Sequence, residues 1–182
     1  MSMERMFDDL EGRFEHLESL DMRAMSDELA RAERAQVSLA DRFRGAAGRV
    51  VRIHLAADLV VEGAIEDSGE EWVRLRPSGE GGIALVPMSR ISLVEGLPQR
   101  ARPVSDTVGR RPYGIGHELR GIARDRSLVR LRTDAGTCHG RLRAVGADAL
   151  DLRTSPTGEA VRVSAGRDVL VPFSALVLVQ VL

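Results

Sequence analysis

The sequence predicts an α+β, mostly β protein, in which an N-terminal helical arm precedes two tandem five-stranded small β-barrels, each led by a short helix. Three observations predict it. The second half of the chain repeats the first in order, so one small unit is built twice. Within each copy, short runs alternate apolar with polar residues, as half-buried antiparallel strands do. From Met3 to Phe43 there is no proline, and Gly12 is the sole glycine, which favours helix.

The repeat is read residue by residue. Phe43-Arg44-Gly45-Ala46-Ala47 recurs as Leu119-Arg120-Gly121-Ile122-Ala123, and Val51-Arg52-Ile53 as Val129-Arg130-Leu131. Gly63-Ala64-Ile65 answers Gly140-Arg141-Leu142, Gly69 answers Gly146, and Leu75-Arg76 answers Leu152-Arg153. Leu85-Val86-Pro87-Met88-Ser89 answers Leu170-Val171-Pro172-Phe173-Ser174. The offset moves from 76 to 78, then to 77, then to 85. The last change places about eight extra residues between Thr154 and Asp168, where a loop tolerates an insertion.

The arm occupies residues 1–37. Met3, Met6, Phe7, Leu10, Phe14, Leu17 and Leu20 make one helical stripe, and Met22, Met25, Leu29, Ala32, Leu39 and Phe43 a second. The two are out of phase near Asp21, and Ser26 before Asp27 and Glu28 suits the cap of a new helix. Asp9 with Arg13 and Asp27 with Arg31 are acid-before-base pairs at helical spacing. A dimerising or partner-binding arm and a cover for the first barrel fit these stripes equally, because coiled coils need longer heptad runs.

The first barrel is expected over 38–97, with a helix at 38–46 and strands at 51–55, 59–65, 71–75, 83–86 and 91–94. A linker at 98–114 follows, made semi-rigid by Pro98, Pro103 and Pro112. The second barrel, 115–182, has a helix at 115–123 and strands at 128–133, 138–143, 149–153, 169–171 and 176–181. Closing five short strands hides their edges, which is the reason to expect barrels.

Composition removes several classes of answer. With 43% hydrophobic and 29% charged residues the chain is ordinary globular material, and its longest apolar stretch is too short and too interrupted to span a bilayer. Glu4, Asp8 and Asp9 stand where a signal peptide would be basic, so a cytoplasmic protein without a membrane segment is expected. The single cysteine, Cys138, agrees with a reducing compartment. All 26 basic residues are arginine, which excludes Schiff-base lysine chemistry and a Gly-Lys-Ser/Thr phosphate loop. Residues 1–45 hold 7 Arg against 11 acids, 46–97 hold 5 against 8, and 98–182 hold 14 against 8. Such a dipolar chain suits a neighbour bound head to tail, or a polyanion on its basic half.

A helix followed by five short bent strands, with Asp58, Gly63 and Asp67 between apolar positions and Leu85-Val86-Pro87 leading by one turn into Ile91, resembles the Sm-like small β-barrel. The likeness covers 38–97 and 115–182. The tandem arrangement is also similar to uncharacterised two-barrel proteins of high-GC bacteria. The resemblance implies the barrel fold and association through outer strands. It does not carry over the family's RNA pocket. Trp72-Val73 and Ala149-Leu150 stand where RNA-binding members have Met-Asn, and Pro87-Met88 and Pro172-Phe173 stand where they have Arg-Gly or Lys-Gly.

No constellation points to catalysis, a metal or a cofactor. His16, His54, His117 and His139 are scattered. Cys138 and His139 are strand neighbours on opposite faces, which predicts Cys138 in the core and His139 at the surface. Gly114-Ile115-Gly116 lacks the glycine spacing of a nucleotide loop and suits a helix cap. Ser89 and Ser174 suit capping of a one-turn helix. Trp72 is expected in the core.

The candidate binding residues are arginines of the second copy. Arg130 and Arg132, two apart on one strand, and Arg141 and Arg143, two apart on the next, are expected on one outer face of a hairpin, with Arg153 near and Arg110 and Arg111 of the linker extending it. The corresponding first-copy positions are Arg52, His54, Ala64 and Glu66, so the copies are expected to bind different things. The expected function is a non-enzymatic adaptor or assembly protein. It binds protein partners, or self-associates as a homo-oligomer, through barrel edges and arm, with no small-molecule substrate. The alternative is an RNA- or DNA-binding regulator using the basic face.

Overall fold

Among the described residues, the alternation of apolar and polar residues becomes ten antiparallel strands. The computed structural model describes residues 37–56, 58–79, 82–98, 113–155 and 166–182, together with scattered positions between 22 and 35. The chain divides into Met1–Ser38 and Leu39–Leu182. In the first unit the described positions between 22 and 35 are helical, and Met22, Met25 and Leu29 are exposed along one face. Ser26 is itself helical, so it does not start a helix as its capping chemistry suggested. The stripe before Met22 and the pairs involving Asp9 and Asp27 lie outside the described residues.

The second unit begins with helix α1 (Leu39–Arg44). Strands β1 (Val50–Leu55), β2 (Val60–Ser68), β3 (Trp72–Pro77), β4 (Ala84–Pro87) and β5 (Ile91–Glu95) follow. The second copy is helix α2 (Ile115–Arg124) with β6 (Leu128–Thr133), β7 (Gly136–Val145), β8 (Ala149–Thr154), β9 (Asp168–Pro172) and β10 (Leu176–Val181). Gly114 takes the N-cap of α2, as its place before the helical run predicts.

The copies agree in detail beyond their sequence match. In each, the last strand returns to pair with the first, so the strand order is β5-β1-β2-β3-β4 in one and β10-β6-β7-β8-β9 in the other. In each, the second strand bulges at the same repeat position, at Glu66 between Ile65 and Asp67, and at Arg143 between Leu142 and Ala144. A bulge bends its strand and sharpens the local twist, which lets a short sheet wrap around a core.

Two closed barrels, however, do not form. The ten strands make one unclosed sheet, because β4 does not pair with β5, nor β9 with β10. The physical reason lies between them. Pro87 and Pro172 end their strands without an N–H to donate, and one-turn 3-10 helices at Met88–Arg90 and Phe173–Ala175 redirect the chain to the far side. The free edge of β4 is instead taken by β10 of the other copy. Those 3-10 turns have Pro87 and Pro172 at their N-caps and no side-chain cap bond, so Ser89 and Ser174 do not cap them.

The core is split in two and each part is shared. Phe43, Ile53, Ile65, Leu75 and Val86 pack together with Val177 and Leu178 from β10. Leu119, Leu131, Leu142, Leu152 and Val179 pack together with Trp72 and Leu85 from the first copy. Trp72 is therefore core, as expected, but in the core of the other half. His139 is buried beside buried Cys138, against the expectation of a surface histidine. It sits on β7, flanked by β6 and β8, and its neighbour across the ladder is Arg130.

Candidate interaction edges and basic face

The seam between copies is a short ladder of two residue pairs backed by side chains. Leu85 lies opposite Val179 and Ala84 opposite Gln180. Around it, the Trp72 indole donates to the Tyr113 carbonyl at 2.8 Å, and Arg74 Nη1 meets Glu118 Oε2 at 2.8 Å. Arg90 Nη2 reaches Asp134 Oδ2 at 2.8 Å and also the Ser174 carbonyl. Arg74 and Glu118 are partly shielded from solvent, so their attraction is screened less than that of a fully exposed pair.

At the sheet's two ends the same kinds of edge stand open. β5 pairs with β1 and β9 with β8, and each is the last strand on its side. Leu93 on β5 is 53% exposed and Leu170 on β9 is 67% exposed. Their repeat equivalents are Leu178 and Leu85, each 1% exposed at the seam. An open edge carrying a large apolar side chain is a template for a further strand. Sequence reading pointed to edges in general. It missed these two leucines, because Leu85 and Leu170 sit in matching Leu-Val-Pro contexts and differ only in whether a strand covers them.

The predicted basic residues fall on β6, β7 and β8. Arg130 lies opposite His139, Arg132 opposite Thr137, and Arg141 opposite Leu128 on one side and Arg153 on the other. Arg143 occupies the bulge. Asp168 of β9 bridges Arg143 at 3.3 Å and Arg153 at 3.0 Å, which neutralises part of this group. Arg110 and Arg111 lie outside the described residues. An open cleft of about 610 Å³ is lined by Ala123, Arg126, Arg141, Leu142 and Arg143. Arg126 was not foreseen: it follows α2 in the left-handed region, φ 54°, where the first copy has Gly48 at φ 82°. Its carbonyl accepts from Arg141 Nε at 3.1 Å.

The two copies differ in the acids set against their arginines. Arg52 donates to Glu62 at 2.7 Å and faces Glu95, and these carboxylates, Glu62 first, hold its guanidinium above its ordinary pKa. His54 meets Glu95 at 2.5 Å. In the second copy Arg52 becomes Arg130, while Glu62 and Glu95 become His139 and Gln180. The first outer face is thus self-neutralised, and the second keeps arginine without those carboxylates.

No family model, curated protein or solved structure matches the chain. No described helix is long and apolar enough to cross a membrane.

Proposed function

We propose that the protein is a non-enzymatic adaptor or assembly module that takes up protein strands at the open edges β5 and β9, with the Sm-like unit as its repeated building block. The observation that carries this reading is the contrast between exposed Leu93 and Leu170 and their buried equivalents Leu178 and Leu85. Main-chain hydrogen bonds at an edge supply affinity, and alternate side chains supply specificity. Sedimentation of the full chain beside Leu93→Lys and Leu170→Lys variants tests it. Association that is lost when either edge receives a charge supports edge binding, and association indifferent to both changes refutes it.

A second reading has its own support. The loss of two carboxylates opposite Arg130, and the three arginines around the cleft, favour a polyanion such as RNA or DNA on the second copy. Fluorescence anisotropy of labelled RNA and duplex DNA at several salt concentrations, with and without neutralisation of Arg130, Arg132, Arg141 and Arg143, decides it. Salt-sensitive binding lost in the variant supports this reading, and no binding at low salt removes it.

A further inference from the structure

The two copies differ most where the leading helix hands over to the sheet. In the first copy the chain leaves α1 through Gly48, whose N–H donates to the Ile65 carbonyl at 2.8 Å, and the Ile65 N–H donates to the Arg49 carbonyl at 2.9 Å. These two main-chain bonds prolong the β1–β2 ladder and close the corner between helix and second strand. The second copy has Arg126, Ser127 and Leu142 at the matching places. Among the described residues no main-chain bond joins Leu142 to Arg126 or Ser127. The corner stays open as the cleft of about 610 Å³ walled by Ala123, Arg126, Arg141, Leu142 and Arg143.

Charge changes with the opening. The first copy carries Gly48, Ala64 and Glu66 where the second carries Arg126, Arg141 and Arg143, so one negative charge is replaced by three positive ones at a single corner. Glu66 is occupied by Arg76 at 2.7 Å and Arg74 at 3.4 Å. Arg126 and Arg141 meet no carboxylate among the described residues. Arg143 has Asp168 at 3.3 Å, but shares it with Arg153. Asp125, the acid next to Arg126 in sequence, takes the C-cap of α2 and is not one of the walls. The cleft therefore holds more positive charge than the protein itself balances.

Each arginine is also held in place by the backbone. Arg126 stands at φ 54°, a left-handed conformation that costs an L-residue energy and that the first copy gives to glycine. That turn presents the Arg126 carbonyl to Arg141, whose Nε donates to it at 3.1 Å, leaving the Arg141 Nη groups to grip two oxygens of a ligand. Arg143 sits at the bulge of β7, and bulges re-aim the side chain they carry.

We infer that this cleft binds a small ligand through two or more adjacent phosphate groups, as a nucleoside diphosphate or an inorganic oligophosphate presents them. Three guanidinium forks around one opening match a chain of phosphate oxygens better than one isolated anion. The volume falls in the range of roughly 300–1,000 Å³ usual for small-molecule sites. The walls are compact: Arg130, Arg132 and Arg153 are not among them, so the cleft is no track for a nucleic-acid strand. Its apolar walls are Ala123 and Leu142, and it offers no aromatic ring on which bases would stack. The inference is independent of the edge-binding reading, and it gives the cleft a different ligand from the nucleic-acid reading.

Isothermal titration calorimetry of the full chain with inorganic pyrophosphate, ADP and orthophosphate at low salt tests the inference. The variants are Arg126→Gly, Arg141→Ala and Arg143→Glu, each of which installs the residue that the first copy accepts at the same place. Circular dichroism confirms that they keep the fold, and an Arg130→Gln, Arg132→Gln double variant serves as a control outside the cleft. Pyrophosphate is expected to bind one per chain, about tenfold or more tighter than orthophosphate. Each cleft substitution should weaken it about tenfold or more, since a charged hydrogen bond is lost, and the control should leave it unchanged. ADP that binds as well as or better than pyrophosphate supports a nucleotide as the source of the phosphates, and weaker ADP supports the inorganic chain. Absence of pyrophosphate binding, equal affinity for orthophosphate, or binding that survives all three cleft substitutions overturns the inference. A labelled single-stranded RNA that binds, is not displaced by pyrophosphate and is lost in the control variant overturns it in favour of the nucleic-acid reading.

Discussion

Leu85 and Leu170 hold the same place in the two copies, yet Leu85 is 1% exposed and Leu170 is 67% exposed. The difference comes from β10, which covers Leu85 and leaves no equivalent strand over Leu170. One leucine thereby belongs to a core built by both halves. The consequence is thermodynamic: halves that share cores stabilise one another.

Trp72 is the most direct probe of that sharing, because it is the chain's single tryptophan, belongs to the first copy and is buried in the second core. Denaturation followed by tryptophan fluorescence and by far-UV circular dichroism is expected to give coincident transitions for residues 39–182. Trp72→Ala removes an indole from that core and is expected to cost about 3–5 kcal/mol. A circular-dichroism transition in two separated steps, with only one moved by the substitution, would show that the halves fold independently.

Gly140 and Gly63 mark where neighbouring strands approach most closely. A Cβ at Gly140 would lie 2.1 Å from the Arg153 carbonyl oxygen, and one at Gly63 would lie 2.3 Å from that of Arg76. Both obstructions are backbone and cannot rotate away. Gly140→Ala and Gly63→Ala are each expected to lower stability by at least about 1–3 kcal/mol in urea titrations, although alanine is ordinarily harmless in a strand. Stability unchanged at either position would contradict the packing described.

Much of the fold was legible because repetition allows each copy to check the other. The strand positions and the helix before each copy follow from aligning Gly63 with Gly140 and Leu85 with Leu170, while most of the expected insertion before Asp168 lies outside the described residues. The error lay in closing each barrel. Local alternation sets which face of β4 is buried, but not which strand covers its edge, and β10 is over 80 residues away in sequence. His139 is buried against expectation because Cys138, His139 and Gly140 are buried in succession on β7, which breaks the alternation that strand periodicity assumes. Among the site residues, Arg130, Arg132, Arg141, Arg143 and Arg153 were visible as a pattern of spacing. Arg126 was not, because a left-handed backbone at an arginine leaves no mark in composition or periodicity.

Cys138 offers a test of burial through pH. Removal from water raises its thiol above the ordinary 9.0, so the folded state holds the proton longer than the unfolded one. Its contribution is complete below the unfolded-state value and is lost as pH rises through that value towards the folded one. The wild type should therefore lose stability between pH 8 and 10 relative to Cys138→Ala, with the gap between their denaturation midpoints changing in that direction. The absence of lysine, and a single tyrosine, keep other titrations in that range few. A constant gap across the range would mean that the thiol is solvated.

Arg126 combines a backbone cost with a place in the lining of the cleft. An L-residue at φ 54° carries a steric penalty that glycine does not, and the first copy uses Gly48 for its left-handed residue after the helix. Arg126→Gly keeps the carbonyl that accepts from Arg141, so that bond survives the change. Its expected effect is a gain of about 0.5–1 kcal/mol, since relief of strain outweighs the extra freedom of the unfolded chain. The guanidinium, however, lines the cleft with Arg141 and Arg143. If the cleft receives a polyanion, the more stable variant should bind it less well and with a shallower salt dependence, because one phosphate contact is lost. Thermal unfolding and anisotropy titrations on the same protein measure both quantities. Stability gained with binding unchanged would make Arg126 an incidental strain, and stability lost would show that the arginine side chain makes a contact that outweighs its backbone cost.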